Sequence, residues 1–151
     1  MKDTHIIIVG DAGTLKAYRI AETSSTTNRS KAETIKKITY SAAHTKLSDL
    51  VSDRAGRFRG SGSIKGNSRA FGEDNHLFEE MRRKSIAHLA HDIEGIMKHG
   101  DAQHFYLSLP KKIHNKVLEA MSKGSRAKIV RESAADLTKS SVMDLRKRFK
   151  V

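Results

Sequence analysis

Between Leu50 and Gly72 the chain abandons apolar periodicity, and that break constrains what the rest can fold into. The stretch holds five glycines and five Arg or Lys, and from Arg54 to Gly72 it contains no acidic residue. A segment of this length without a helix or strand pattern is uncommon inside a compact domain and is usually either a working loop or disordered. Before it, the apolar residues follow strand patterns. After it, they follow helical spacing interrupted by short strand-like runs. The loop therefore separates an all-β beginning from an alternating α/β remainder.

In the first part, Ile6-Ile7-Ile8-Val9 is a short β-branched run that ends in the turn signal Gly10-Asp11-Ala12-Gly13. Residues Thr14 to Ala21 then alternate, so the pair reads as a β-hairpin. Residues 22–31 are polar and read as a solvent loop, and Thr34 to Tyr40 reads as a third strand. Beyond the basic loop, Phe78, Met81, Ser85, Leu89, Ile93 and Ile96 fall three or four residues apart, which predicts a helix from Glu73 to Lys98. Asp74 is its expected N-cap and Gly100 its stop. A strand over Ala102 to Leu109 ends at Pro110, and a helix from Lys111 to Lys123 is closed by Gly124. A fifth strand covers Ala127 to Arg131, and a last helix runs from Ser140 to Phe149, capped by Thr138 or Ser140. The order β-β-β-α-β-α-β-α implies a mixed five-stranded α/β sheet with covering helices. Three antiparallel strands come first and the later two join in parallel by crossovers, as in the ribonuclease H-like superfold.

With 151 residues, the chain is expected to form one domain over residues 1–151, large enough to bury an ordinary core. It has no cysteine, which excludes a disulfide framework and thiolate catalysis. The opening apolar run is too short for a signal-peptide core or a membrane span, so a cytoplasmic protein is expected. The net charge of +12 is unevenly placed: residues 1–53 carry eight basic and six acidic side chains, and residues 54–151 carry 21 and 11. Such a field favours polyanions, among them RNA and the ribosome.

Several segments together resemble the bacterial family named for a protein required for attachment to host cells. They are Gly10-Asp11-Ala12-Gly13, Leu50-Val51-Ser52-Asp53-Arg54-Ala55-Gly56-Arg57, the helix through Phe78, Ile86, Ala87 and Ala90, the strand end Leu107-Ser108-Leu109-Pro110, and Asp136-Leu137-Thr138-Lys139. The second is the most specific, although the family commonly has proline where this chain has Ala55. The family in turn resembles the middle domain of class-one release factors and of Pelota. In release factors a Gly-Gly-Gln tripeptide between the third strand and the long helix enters the peptidyl-transferase centre. This chain has Arg57-Phe58-Arg59-Gly60-Ser61-Gly62-Ser63 in the corresponding place, with no glutamine. The resemblance thus implies the loop and its flexibility but not the hydrolytic residue, and the family name implies a role in host association.

The residues themselves offer several chemistries. Arg54, Arg57, Arg59, Lys65 and Arg69 suit phosphate contacts, since guanidinium groups pair bidentately with phosphate, while Gly56, Gly60 and Gly62 permit close backbone approach. Ser52 and Asp53 fit hydrogen bonds that shape the start of the loop. Phe58 and Phe71 suit either base stacking or the edge of the core. Lys111, Lys112, Lys116, Lys123 and Arg126 extend the basic surface. A nuclease would need converging carboxylates, for which Asp11, Glu79, Glu80 and Asp136 are the candidates. Ser52 with His44 or His76 lacks the pattern of a nucleophile elbow. His88 and His91 supply only two potential ligands, so no metal and no cofactor is expected. The reading favoured by the sequence is a non-catalytic RNA- or ribosome-binding protein. A nuclease, a ribosome-associated ester hydrolase and a factor acting through a protein partner are the alternatives.

Overall fold

Ile6-Ile7-Ile8-Val9 forms the middle of the central strand, and all four residues are essentially inaccessible to solvent. The computed structural model describes residues 3–21, 31–40 and 67–151, the side chains of residue 31 and residues 67–75 excepted. Strands β1 (Thr4–Gly10), β2 (Thr14–Ala21) and β3 (Lys31–Thr39) are followed by a helix of 33 residues, α1 (Asn67–His99). Then come β4 (His104–Ser108), α2 (Lys111–Ala120), the short α3 (Lys123–Ala127), β5 (Ile129–Ser133) and α4 (Val142–Phe149). The five strands lie in the order β3-β2-β1-β4-β5. Strands β1, β2 and β3 pair antiparallel, whereas β4 joins β1 and β5 joins β4 in parallel. This is the mixed sheet expected from the order of the elements.

A strand covered on both faces reads as a continuous apolar run, because alternate side chains enter two different cores. Ile6 and Ile8 share a core with Leu89, Ile93, Ile96 and Met97 of α1, with Val117 of α2, and with Phe105 and Leu107 of β4. Ile7 and Val9 point the other way, into a core with Tyr18, Ile20, Tyr106, Leu145 and Phe149. Helices α1 and α2 thus cover one face of the sheet and α4 covers the other. At the margin, β5 is largely exposed and leaves Val130 51% accessible.

Several boundaries differ from the sequence reading, and β3 begins at Lys31 rather than at Thr34. Helix α1 begins at Asn67, so residues 67–72, assigned above to the loop, are helical, Arg69 among them, and Asp74 is an interior residue rather than a cap. The predicted closure of α2 at Gly124 is also corrected. Met121 turns to an extended conformation after Ala120, and Ser122 then caps a new short helix in which Gly124 is interior. Ser122 wins because its hydroxyl accepts from the Ser125 N–H, which restarts helical geometry. The fifth strand consequently starts at Ile129. The last helix is capped by Ser141, whose hydroxyl accepts from the Asp144 N–H, and not by Thr138 or Ser140.

Candidate functional site

The carboxyl ends of β1 and β4 carry a junction of polar side chains, the usual location for sites in sheets with parallel strands. Between β1 and β2 the chain turns through Asp11-Ala12-Gly13, with the Asp11 N–H donating to Thr14 O at 2.8 Å. Asp11 Oδ1 accepts from the N–H groups of Gly13 at 2.7 Å and Thr14 at 2.6 Å, as an aspartate that shapes a turn does. Beside it, Asp136 Oδ1 accepts from the Thr138 hydroxyl at 2.6 Å and from the Thr138 N–H at 3.1 Å. These two bonds hold the Asp136 carboxyl below the usual carboxylate range.

Thr138 joins the two carboxylates. It is only 5% exposed, and its hydroxyl lies 3.4 Å from Asp11 Oδ2. A hydroxyl has one proton, and the shorter distance assigns it to Asp136. Lys16 Nζ donates to Thr138 O at 2.7 Å. Ser108, fully buried at the end of β4, donates its hydroxyl proton to Ala135 O at 2.7 Å, and the Leu109 N–H donates to Ser133 O. The segment after β5 is therefore fastened to the sheet by the side chains of Lys16 in β2 and Ser108 in β4.

Of the candidates for a carboxylate site, the fold brings Asp11 and Asp136 together. Glu79 and Glu80 sit on the exposed side of α1, paired with Arg82 at 3.7 Å and Lys84 at 3.2 Å. Among the described residues, no group of three or more His, Asp or Glu could hold a metal ion. His88 and His91 are both exposed on α1, and His91 faces Asp92 at 3.7 Å. Oδ1 of each carboxylate accepts two hydrogen bonds, so Asp11 shapes the turn after β1 and Asp136 shapes the segment through Thr138.

The predicted loop residues Ser52, Asp53, Arg54, Gly56, Arg57, Arg59, Gly60, Gly62 and Lys65 lie outside the described residues, as do His44 and Phe58. Arg69 has a helical backbone in the first turn of α1. Elsewhere, basic side chains border two concavities. Arg82 and Arg83 of α1 face Lys116 of α2 across one, with Glu79 the acidic side chain beside them. Lys123 and Arg126 of α3 and Arg131 of β5 border the other, beside Glu132. Sequence reasoning named Lys116, Lys123 and Arg126 but missed Arg82, Arg83 and Arg131, which belong to the same surfaces only because α1 packs beside α2 and β5 follows α3.

These features define a class: a mixed α/β protein in which an antiparallel meander is extended by two parallel strands, with a polar junction at the carboxyl ends of its central strands. Within that class, the chain belongs to the family described as "Protein required for attachment to host cells", which matches over residues 6–149. No curated protein matches it. Three of the five segments that carry the resemblance, Gly10–Gly13, Leu107–Pro110 and Asp136–Lys139, meet at the polar junction just described. No helix among the described residues is long and apolar enough to cross a membrane.

Proposed function

We propose that this member of the host-attachment family is a cytoplasmic, non-catalytic RNA- or ribosome-binding protein, and that its part in attachment is indirect. The observation that carries the reading is the placement of exposed cations around two concavities by α1, α2, α3 and β5, in a chain of net charge +12. Glu79 offsets one of the three cations Arg82, Arg83 and Lys116 that border the first concavity, which leaves that surface positive toward a polyanion. The strand order β3-β2-β1-β4-β5 is also that of the ribonuclease H-like superfold, which supports a likeness to the release-factor middle domain. In this reading Arg54, Arg57, Arg59, Lys65 and Arg69 contact phosphate, with Gly56, Gly60 and Gly62 allowing the loop to fit closely. Ser52 and Asp53 shape its start.

Sedimentation of lysates through sucrose gradients at low and moderate salt tests this. The wild type is expected to travel with ribosomal particles at low salt and to be released as salt rises. The Arg54→Ala/Arg57→Ala/Arg59→Ala triple variant is expected to stay at the top. With purified RNA, each phosphate contact removed should lower the slope of log K against log salt by about 0.7 to 0.9. A wild type that stays at the top at every salt concentration sinks the proposal.

A further inference from the structure

A second site lies between the last turns of α1 and strands β2 and β3, away from the polar junction. In β2, the side chains of Leu15, Ala17 and Arg19 share the face that α1 covers, and the first two are fully buried. The alternation that inserts Leu15 and Ala17 into the core therefore carries the Arg19 guanidinium under the helix. Arg19 lines a cavity of about 380 Å³ with an apolar side formed by Ile35, Ile38 and Ile96. Its Nε is buried and has no hydrogen-bond partner. A buried N–H on a charged group left without an acceptor is costly, so an unpaired one calls for an explanation.

The rest of the cavity wall has a matching character. Lys36 and His99 also border it. His99 Nδ1 lies 2.8 Å from Gly95 O, and since a carbonyl only accepts, Nδ1 carries the proton and Nε2 is left for another contact. Asp92 is the acid in the wall, and its carboxylate is committed elsewhere: Oδ2 accepts from the Tyr40 hydroxyl at 2.6 Å and Oδ1 faces His91 at 3.7 Å. Gly95 completes the site. It lies inside α1, where glycine is disfavoured relative to alanine, yet a Cβ there would meet nothing within 4 Å. Packing does not require glycine at this position, and its missing side chain leaves the cavity open.

We propose that this cavity binds a small organic anion, with a carboxylate or phosphate head on Arg19 and an apolar body against Ile35, Ile38 and Ile96. The head supplies the acceptor that Arg19 Nε lacks, and the charge-assisted bond is of the stronger kind. The body occupies the space over Gly95. This site is independent of the RNA surface, since none of the residues bordering it borders either basic concavity.

The test is an amide NMR titration of the full chain with phenyl phosphate, inorganic phosphate and the neutral benzyl alcohol. Phenyl phosphate is expected to shift the Gly95, Ile96 and Gly100 amides saturably below about 10 mM, more tightly than inorganic phosphate, while benzyl alcohol leaves them unmoved. Arg19→Gln should weaken phenyl phosphate about tenfold or more. Gly95→Leu should abolish binding while the protein melts no lower than wild type, because leucine favours the helix and fills open space. The proposal is overturned by the absence of saturable shifts with phenyl phosphate, by equal shifts with benzyl alcohol, or by undiminished binding in both folded variants.

Discussion

A Cβ placed on Gly100 would lie 2.6 Å from Ile6 Cδ1 and 2.7 Å from Ile96 O. The residue was legible as the end of the long helix, but the reason it must be glycine lies in the close approach of the helix end to the central strand. Gly100→Ala is expected to cost about 1–3 kcal/mol, because the Ile96 carbonyl is backbone and cannot swing aside as the tip of the Ile6 side chain can. The check is a lower urea midpoint with an unchanged slope. A second residue-scale prediction concerns Glu94, whose Oε1 accepts from the Ser122 N–H at 2.6 Å. That backbone bond holds its carboxyl below the usual carboxylate range, with the Ser122 and Ser125 side chains and nearby His91 adding to the effect. A depressed folded-state value means that the stabilisation is complete above the unfolded value, about 4.3, and is lost as pH falls through the folded one. Wild-type stability should therefore decline below about pH 4, and Glu94→Gln should flatten that acid limb in denaturation curves collected across pH.

At the scale of the element, α4 depends on its first turn. The Ser141 hydroxyl accepts from the Asp144 N–H at 3.2 Å and donates to Asp144 Oδ2 at 2.7 Å, so two residues satisfy each other before the helix supplies Leu145 and Phe149 to the core. Ser141→Ala should cost about 1 kcal/mol, read by denaturation together with faster amide exchange across residues 142–146. The sequence predicted this helix from its apolar spacing but not its cap. Thr138, Ser140 and Ser141 are equivalent in cap chemistry, and the structure shows that Thr138 is already committed to Asp136, two residues before it. The start of α1 was hidden for a related reason. Residues 67–72 contain Gly72 and no helical apolar stripe, so propensity and pattern both pointed to a loop. Strand β1 was easy to read because four consecutive large apolar residues leave few alternatives to a strand buried on both faces.

For the whole molecule, the order of elements was enough to foresee a mixed sheet with the later strands parallel. The polar junction was less legible: Asp11 and Asp136 were named together as candidate carboxylates, with Glu79 and Glu80 that lie elsewhere, but Lys16 and Ser108 join the junction only through contacts across the fold. The cavity at Arg19 had no sequence signal at all, since its walls come from two strands and the far end of a long helix. The same topology governs how the protein is made. On one side, β1 pairs with β2 almost at once, Gly10 opposite Leu15. On the other, His5 pairs with His104. During synthesis, the most apolar strand of the protein keeps one hydrogen-bonding edge unsatisfied until β4 has left the ribosome, and closing so long an intervening loop slows its capture. The nascent Ile6-Ile7-Ile8-Val9 edge is thus open to pairing with other chains until β4 docks.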